Sequence, residues 1–151
     1  MIILVMGLPG SGKTTLAREM AGLVGNCVLW NADEVRENLG NPGFSPEARV
    51  GQAKRMRFLC DTVTAGGCRA IADFVCPTPE TREAFRVGSA FVVWVDRIEA
   101  GRFEDTNKMF VPPEEFDVKV VDDGRTPFEW AMVAWGAWID RVNGVPARRA
   151  A

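Results

Sequence analysis

The residues of this chain with the clearest chemical meaning form a glycine-rich run. Residues 7–14 read GLPGSGKT, which fits G-x-x-x-x-G-K-[ST] at every fixed position, and they follow the apolar stretch 2–6. Glycines in such a turn let backbone N–H groups curl around a phosphate, and the positive end of the following helix adds to the attraction. Because the run lies between a β-branched strand and a helical segment, it predicts a P-loop that binds a nucleoside triphosphate.

Each part of this motif has an expected role in holding a triphosphate. Lys13 is predicted to reach the β- and γ-phosphates, where it also serves catalysis, and the Thr14 hydroxyl is predicted to ligate Mg²⁺. The expected cofactors are therefore ATP and Mg²⁺. A glycine turn with no ligand is the alternative interpretation. The residues predicted to bind the nucleotide are Gly7, Gly10, Ser11, Gly12, Lys13, Thr14 and Thr15.

Two carboxylates lie at predicted strand ends, where parallel sheets bind their ligands. Asp33 comes just after the short apolar strand 27–30, and it is a candidate to accept a proton from an attacking hydroxyl or to hold a magnesium-bound water. Asp73 lies in the next predicted strand and is a candidate to hold the water shell of the metal, as a Walker-B aspartate does. The structural alternatives are an acid at a helix N-terminus for Asp33 and a hydrogen-bonded turn acid for Asp73.

Cationic and aromatic residues supply candidates for the acceptor side of a site. Arg36, Arg49 and Arg55 can contact a phosphate or sulfate, because a planar guanidinium binds tetrahedral oxyanions in a bidentate manner. Taken singly, each is more often explained as a solvated charge on a helix, and it is their occurrence together that favours an anion site. Phe44 lies between Gly43 and Ser45 with no obvious core face, and an aromatic side chain in such a loop can stack on a base.

The composition favours a small-molecule partner. The chain has 151 residues and a formal net charge of −2, with a pI near 5.3. An acidic chain lacks the positive field of proteins that hold a nucleic-acid backbone, so a nucleic-acid partner is not expected. No apolar run approaches the ~18 residues of a membrane span, and the first strand starts at Ile2, so we expect no membrane segment, no signal peptide and a cytoplasmic location.

The cysteines do not form a metal-binding pattern. The chain contains no histidine, and no two cysteines have C-x-x-C spacing. Because they lie in or beside apolar runs, we expect buried or half-buried thiols rather than a disulfide or zinc site. These residues are Cys27, Cys60, Cys68 and Cys76.

The apolar pattern alternates between short strands and longer helical segments. Strands are predicted over residues 2–6, 27–30, 70–75, 91–95 and 118–121. Helices are predicted from about residue 13, over 32–39, from 46 to a stop at 66–67, over 78–85, and from 127 onward. Strands that are apolar on both faces and alternate with helices predict a single α/β domain over residues 1–151, with a five-stranded parallel sheet covered on both faces by helices.

The last predicted helix is rich in tryptophan. Thr126 is its expected N-cap, with Pro127 in the first helical position. Trp135 falls outside the expected core-facing side, so part of this helix is a candidate to meet a second subunit. The residues expected to point inward are Trp130, Val133, Ala134, Trp138 and Ile139.

The order of these motifs resembles the adenylyl-sulfate kinase family. That family carries G-L-x-G-S-G-K-[ST]-T, D-G-D-x-x-R, G-F-S, R-x-x-N-x-x-R and F-I-S-P segments in this order. This chain carries GLPGSGKTT at 7–15, NADEVR at 31–36, GFS at 43–45, an Arg-Gln-Arg set at 49, 52 and 55, and FVCP at 74–77. The resemblance spans residues 1–110 and implies a P-loop kinase fold.

The resemblance also implies an activity and roles for individual residues. It implies transfer of the ATP γ-phosphoryl group to the 3′-hydroxyl of adenylyl sulfate, with Asp33 as the base or metal-side acid. Arg36 and Arg49 would hold the sulfate–phosphate anhydride, and Phe44 would stack on the adenine of the acceptor. A homodimer is a further implication. The remaining residues expected to bind substrate are Gln52, where the family has Asn, together with Val75, Cys76 and Lys108.

Some features of the family are absent from this sequence. Asn31 replaces the first aspartate of D-G-D, and Cys76 replaces the serine of F-I-S-P. The family's R-D-P-K-G lid and F-T-G-I-D segment are not recognisable; residues 104–110, EDTNKMF, stand in their place. Arg102 and Lys108 are candidates to serve a shortened lid, or are solvated loop cations. Alternative functions are another small-molecule or polynucleotide 5′-hydroxyl kinase, and a nucleotide-binding module with little catalysis.

Overall fold

In the part of the chain that the computed structural model describes, residues 1–40 and 42–145, five parallel strands form one sheet. The strands are β1 (Ile2–Gly7), β2 (Cys27–Asn31), β3 (Arg69–Asp73), β4 (Ala90–Asp96) and β5 (Val118–Val121). Their order across the sheet is β2-β3-β1-β4-β5, with β1 paired to β3 and β4. The predicted five-stranded parallel sheet is confirmed. Of the predicted domain, residues 41 and 146–151 lie outside the described residues.

Helices cover both faces of this sheet, as predicted. The helices are α1 (Lys13–Val24), α2 (Ala32–Leu39), α3 (Pro46–Ala65), α4 (Pro79–Phe85), α5 (Glu104–Met109) and α6 (Pro127–Val142), with a 3₁₀ turn at Val87–Ser89. Among the described residues, no helix is both long enough and apolar enough to cross a membrane.

Two apolar layers hold these helices against the sheet. Successive residues of β1 point to opposite faces, so that Leu4 and Met6 join the layer that includes Met56 of α3, while Ile3 packs in the layer formed with α1 and α6. Both layers consist mainly of aliphatic and aromatic side chains. This double burial explains why the strands are apolar on both faces.

The predicted helix starts agree with the structure. The Ser45 side chain accepts a hydrogen bond from the Ala48 backbone N–H (3.1 Å) at the start of α3. Thr126 and Glu129 form a reciprocal capping box at the start of α6. These caps satisfy backbone donors that the first turn of each helix leaves unpaired.

Three features differ from the prediction. The third strand ends at Asp73 rather than at residue 75, because the chain leaves the sheet before Cys76, whose φ is +48°. A short helix, α5, forms where only a lid segment was expected. Val133 is exposed rather than inward, since the buried side of α6 is formed by Trp130, Ala131, Ala134 and Trp138.

The cysteines are free thiols, as predicted. Cys60 and Cys76 are buried, and Cys27 and Cys68 are half-buried. Among the described residues, no group of three or more His, Cys, Asp or Glu side chains is placed to hold a metal ion.

Candidate active site

Residues 7–14 form a turn whose backbone requires glycine at three positions, Gly7, Gly10 and Gly12. A Cβ atom on Gly7 would lie 2.3 Å from the Val95 carbonyl oxygen of the neighbouring strand. Gly10 and Gly12 have φ angles of +85° and +96°, in the left-handed region that L side chains rarely adopt. The loop therefore brings its backbone close to β4 and then opens directly into α1.

Two polar side chains of this loop have the properties of a phosphate site. The Lys13 ammonium is buried and donates to the Leu8 carbonyl oxygen (2.9 Å), and its burial lowers its pKa while nearby Asp73 opposes that effect. The Ser11 hydroxyl is buried without a hydrogen-bond partner among the described residues. A buried cation and an unpaired hydroxyl beside a glycine cradle fit the phosphates of a nucleotide.

A three-residue cluster joins the ends of β2 and β3 to the start of α1. The Thr14 hydroxyl donates to Asp73 Oδ2 (2.6 Å), and Asn31 Nδ2 donates to the same oxygen (2.7 Å). Burial raises the pKa of Asp73, and the hydrogen bonds from Thr14 and Asn31 oppose that rise. A hydroxyl beside one carboxylate suits Mg²⁺, which keeps several waters and takes further oxygens from a phosphate.

Asn31 has a second role that sequence reasoning missed. Its Oδ1 accepts hydrogen bonds from the backbone N–H groups of Asp33 (3.0 Å) and Glu34 (3.2 Å), which caps α2. The same side chain therefore orients the Asp73 carboxylate and fixes the turn that carries Asp33. An Asn in the residue before a predicted helix was the available signal, because Asn is a preferred N-cap.

Asp33 projects from the first turn of α2 toward the cleft. Its side chain is 82% exposed and accepts a hydrogen bond from Arg36 Nη1 (3.2 Å). Being exposed, it is free to contact a molecule that enters from solvent. The pairing with Arg36 places a carboxylate and a guanidinium side by side at the mouth of the site.

Arg36, Phe44 and Arg49 lie together. The Arg36 and Arg49 guanidinium carbons are 4.8 and 5.5 Å from the centroid of the Phe44 ring, whose residue is 53% exposed. Burial lowers the pKa of Arg36, although Asp33 opposes this, and Arg36 Nε has no hydrogen-bond partner among the described residues. An exposed ring beside two guanidinium groups can accept a flat, negatively charged ligand.

Gln52 is buried and its amide is used within the protein. Its Nε2 donates to the Ala32 carbonyl oxygen (3.1 Å), and its Oε1 accepts from Arg55 Nη1 (3.3 Å). Arg55 also donates to the Gly40 carbonyl oxygen (3.0 Å). These contacts fasten α3 to both ends of α2 and so support Asp33 and Arg36.

Val75 and Cys76 form part of the wall beyond β3. Burial raises the pKa of the Cys76 thiol to about 12, so this side chain is an apolar wall group and not an anion at neutral pH. The next residue, Pro77, accepts a hydrogen bond from the Val111 N–H (2.8 Å), which ties this wall to the segment after α5.

The segment between β4 and α5 covers the glycine-rich loop. Arg102 lies against Gly10, since a Cβ atom added to Gly10 would be 3.4 Å from Arg102 Nε. Lys108 does not line the cleft: it pairs with Glu104 (2.7 Å), and both side chains are exposed. Its predicted role in substrate binding thus has no support from its position.

These groups surround one cleft of about 520 Å³. Four of the residues predicted to bind the nucleotide, Gly7, Ser11, Gly12 and Thr15, are not among the residues that line it. Sequence reasoning did not select several further lining residues, among them Asn31, Phe103, Asp105 and Thr106. The predicted residues that line the cleft are Gly10, Lys13, Thr14, Asp33, Arg36, Phe44, Arg49, Gln52, Asp73, Val75 and Cys76.

Comparison with known proteins gives consistent similarities. The family described as adenylylsulphate kinase matches residues 1–101. An adenylyl-sulfate kinase of Clostridium kluyveri is 29% identical over 137 residues, covering 85% of this chain and 69% of that protein. One of Chloroflexus aurantiacus is 33% identical over 87 residues, covering 54% of this chain and 47% of that protein.

A solved structure shows the same fold. It is the Mycobacterium tuberculosis APS kinase in complex with AMPPNP and APS, with a TM-score of 0.74 and 18% identity. The superposition covers 91% of this chain and 96% of that one. The family match ends at residue 101, so α5 lies just beyond it.

Proposed function

Because this chain belongs to the adenylylsulphate kinase family, we propose that it transfers the γ-phosphoryl group of ATP to the 3′-hydroxyl of adenylyl sulfate. Members of this family are kinases that use ATP with Mg²⁺. One observation carries the proposal: a single cleft is lined both by the P-loop residues Lys13 and Thr14 and by Arg36, Phe44 and Arg49. A kinase needs both its donor and its acceptor in one such space.

The nucleotide side follows from the P-loop. The loop backbone and Lys13 would hold the triphosphate, and the Thr14 hydroxyl and Asp73 carboxylate would hold the magnesium ion or its waters. Bound Mg²⁺ supplies charge neutralisation for the phosphoryl group. Asn31 keeps the Asp73 carboxylate oriented through its 2.7 Å hydrogen bond.

Asp33 is proposed to accept the proton of the acceptor hydroxyl. The hydroxyl oxygen forms a bond to the γ-phosphorus while the bond from that phosphorus to the bridging oxygen breaks, and ADP leaves with the electron pair. The exposed carboxylate on the first turn of α2 supports this role, because it lies at the mouth of the cleft. Its proton-accepting contribution adds to positioning, which dominates phosphoryl transfer.

The acceptor side is proposed to use Arg36, Arg49 and Phe44. The unpaired Arg36 Nε donor and the buried Arg49 guanidinium suit a sulfate–phosphate anhydride, and the Phe44 ring suits an adenine. Gln52, Val75 and Cys76 are proposed to shape this part of the cleft rather than to bear charge. The proposed partner is thus a small anionic nucleotide, and the negative net charge of the chain argues against a nucleic acid.

Calorimetry in the presence of MgADP tests this function. Adenylyl sulfate is titrated beside 5′-AMP and a short oligonucleotide with a free 5′-hydroxyl, and ADP release from ATP is measured with each. We expect adenylyl sulfate to bind most tightly and to be the acceptor that stimulates ADP release. Binding of the oligonucleotide alone would indicate a polynucleotide kinase. If ATP binds but none of the three acceptors binds, the protein is a nucleotide-dependent binding module.

Two further proposals concern the state and location of the protein. A homodimer is supported by exposed apolar residues on α6, namely Phe128, Met132 and Val133. Light scattering measures the oligomeric state directly, and a monomer at all concentrations would contradict the homodimer.

A cytoplasmic location is supported by the free thiols of all four cysteines, because free thiols persist in reducing compartments.

A further inference from the structure

Three consecutive residues of α5 contact two parts of the site, the Arg49 guanidinium and Gly101. The Thr106 hydroxyl accepts a hydrogen bond from Arg49 Nη2 (3.0 Å), and Asp105 Oδ2 lies 3.7 Å from the same nitrogen. The Asn107 side chain accepts from the Gly101 N–H (2.7 Å) and donates to the Gly101 carbonyl oxygen (3.0 Å). A six-residue helix is thereby joined to the acceptor side and to the loop before it.

Arg49 depends on this helix for its orientation. Its side chain is only 7% exposed, and its other hydrogen bond within the described residues runs from Nε to the Phe44 carbonyl oxygen (3.0 Å). These two hydrogen bonds use two of the five N–H donors of a guanidinium, so donors remain for an anion. Thr106 is a neutral partner, which orients the guanidinium without cancelling its charge, whereas Asp105 is exposed and screened by solvent.

The same helix is joined to the P-loop. A Cβ atom on Gly101 would lie 2.8 Å from the Pro9 carbonyl oxygen, and Arg102 lies against Gly10. Asn107 holds Gly101 by its two hydrogen bonds. Contacts therefore run without a break from the P-loop through Gly101 and Asn107 to Thr106 and Arg49.

We propose that Thr106 is a positioning residue that holds the Arg49 guanidinium ready for the anionic group of the acceptor. This inference rests on the proposed function. α5 takes the place of a longer lid by orienting one arginine before the acceptor arrives, so that less side-chain freedom is lost on binding. Thr106 acts through Arg49 and does not touch the reacting atoms.

The test compares Thr106→Val, which removes the hydroxyl at similar volume, with Thr106→Ser, which keeps it. We expect Thr106→Val to raise KM for adenylyl sulfate roughly 10-fold, as for loss of one hydrogen bond to a charged group, with kcat changed much less. Thr106→Ser should stay within a few-fold of the parent, and neither variant should change ADP affinity. A purely structural role would instead lower kcat, ADP affinity and melting temperature together, and that result would overturn the proposal.

A double-mutant cycle separates positioning from general damage. Because Thr106 acts through Arg49, Thr106→Val should cost little further kcat/KM in an Arg49→Ala background. Equal losses in both backgrounds would overturn the proposal while leaving the kinase function intact. A parent enzyme that neither binds nor phosphorylates adenylyl sulfate would overturn the proposed function itself, and this inference with it.

Discussion

Phe44 offers a direct residue-scale test of acceptor binding. The residue is 53% exposed and its ring lies beside two guanidinium groups, so removal of the ring should change the folded core little. We expect Phe44→Ala to weaken adenylyl sulfate binding by ~1–3 kcal/mol, as for loss of a base-stacking aromatic, and to leave ATP binding nearly unchanged. Calorimetry with MgADP present measures the first effect, and ATP titration measures the second.

Phe58 provides the matched control for this substitution. It is 69% exposed on α3 and does not line the cleft. Phe58→Ala should therefore leave acceptor affinity unchanged. If Phe44→Ala lowers the melting temperature strongly without a selective loss of acceptor affinity, Phe44 is a packing residue.

Asp33 is the residue on which proton transfer depends in our proposal. Asp33→Asn keeps the shape of the side chain but removes its basicity, and we expect turnover to fall roughly 10²–10⁴-fold while ATP still binds. Glu34→Gln is the control, since Glu34 is an exposed neighbour whose carboxylate lies 4.0 Å from Arg18. Single-turnover kinetics would contradict the assignment if Asp33→Asn retained a rate within a few-fold of the parent.

At the scale of elements, the contact between the P-loop and the segment before α5 leaves no room for a side chain. Gly101→Ala would place its Cβ 2.8 Å from the Pro9 backbone oxygen, so one of the two segments must move. We expect this variant to lose about 1–3 kcal/mol of unfolding free energy, a typical cost of overpacking. ADP affinity should fall as well, because Arg102 moves with Gly101. Urea unfolding and calorimetry measure the two effects.

Gly51 supplies a control, because the same substitution there is expected to raise the unfolding free energy rather than lower it. It lies exposed within α3, and a Cβ atom added there would have no atom within 4 Å outside its own helix backbone and chain neighbours. Gly51→Ala should raise the unfolding free energy by about 0.5–1 kcal/mol, because alanine loses less backbone entropy in a helix. A destabilised Gly51→Ala, or a Gly101→Ala as stable as the parent, would contradict this account of the two sites.

At the scale of the whole molecule, burial divides the cysteines into two classes. Burial raises the pKa of Cys60 and of Cys76 to about 12 from an ordinary value of 9.0. In the unfolded chain these thiols lose their protons near pH 9, whereas in the folded protein they keep them until about pH 12. The free energy of unfolding should therefore fall as pH rises from about 9 toward about 12, which urea unfolding at a series of pH values measures.

Alkylation followed by peptide mass spectrometry checks the same burial. At about pH 8 in native buffer, we expect Cys27 and Cys68 to react well before Cys60 and Cys76, since the latter pair is fully buried. In urea, the four cysteine thiols should react at similar rates. Early modification of Cys76 in the native protein would show that the wall beside Val75 opens.

Most of the fold could be predicted from local sequence signals. The glycine-rich loop, the Ser45 and Thr126 caps and the apolar strands each depend on residues close together in the chain, and the structure confirms them. α5 could not be predicted in this way. Its six residues carry no apolar period, and the observed contacts of Thr106 and Asn107 are with Arg49 and Gly101.

The candidate site likewise has features that local sequence predicts and features that only tertiary contacts decide. The P-loop motif was sufficient to predict a nucleotide-binding site, because its glycines, Lys13 and Thr14 are close together in the chain. The resemblance of residues 31–36, 43–45 and 49–55 to the adenylyl-sulfate kinase family predicted the family, which the family match confirms. The partners of several side chains were decided by tertiary structure: Asn31 joins Thr14 and Asp73, and the Thr106 hydroxyl accepts a hydrogen bond from Arg49. Hydrogen bonds between residues far apart in the chain depend on how the elements pack, and a single sequence does not encode that packing in any local pattern.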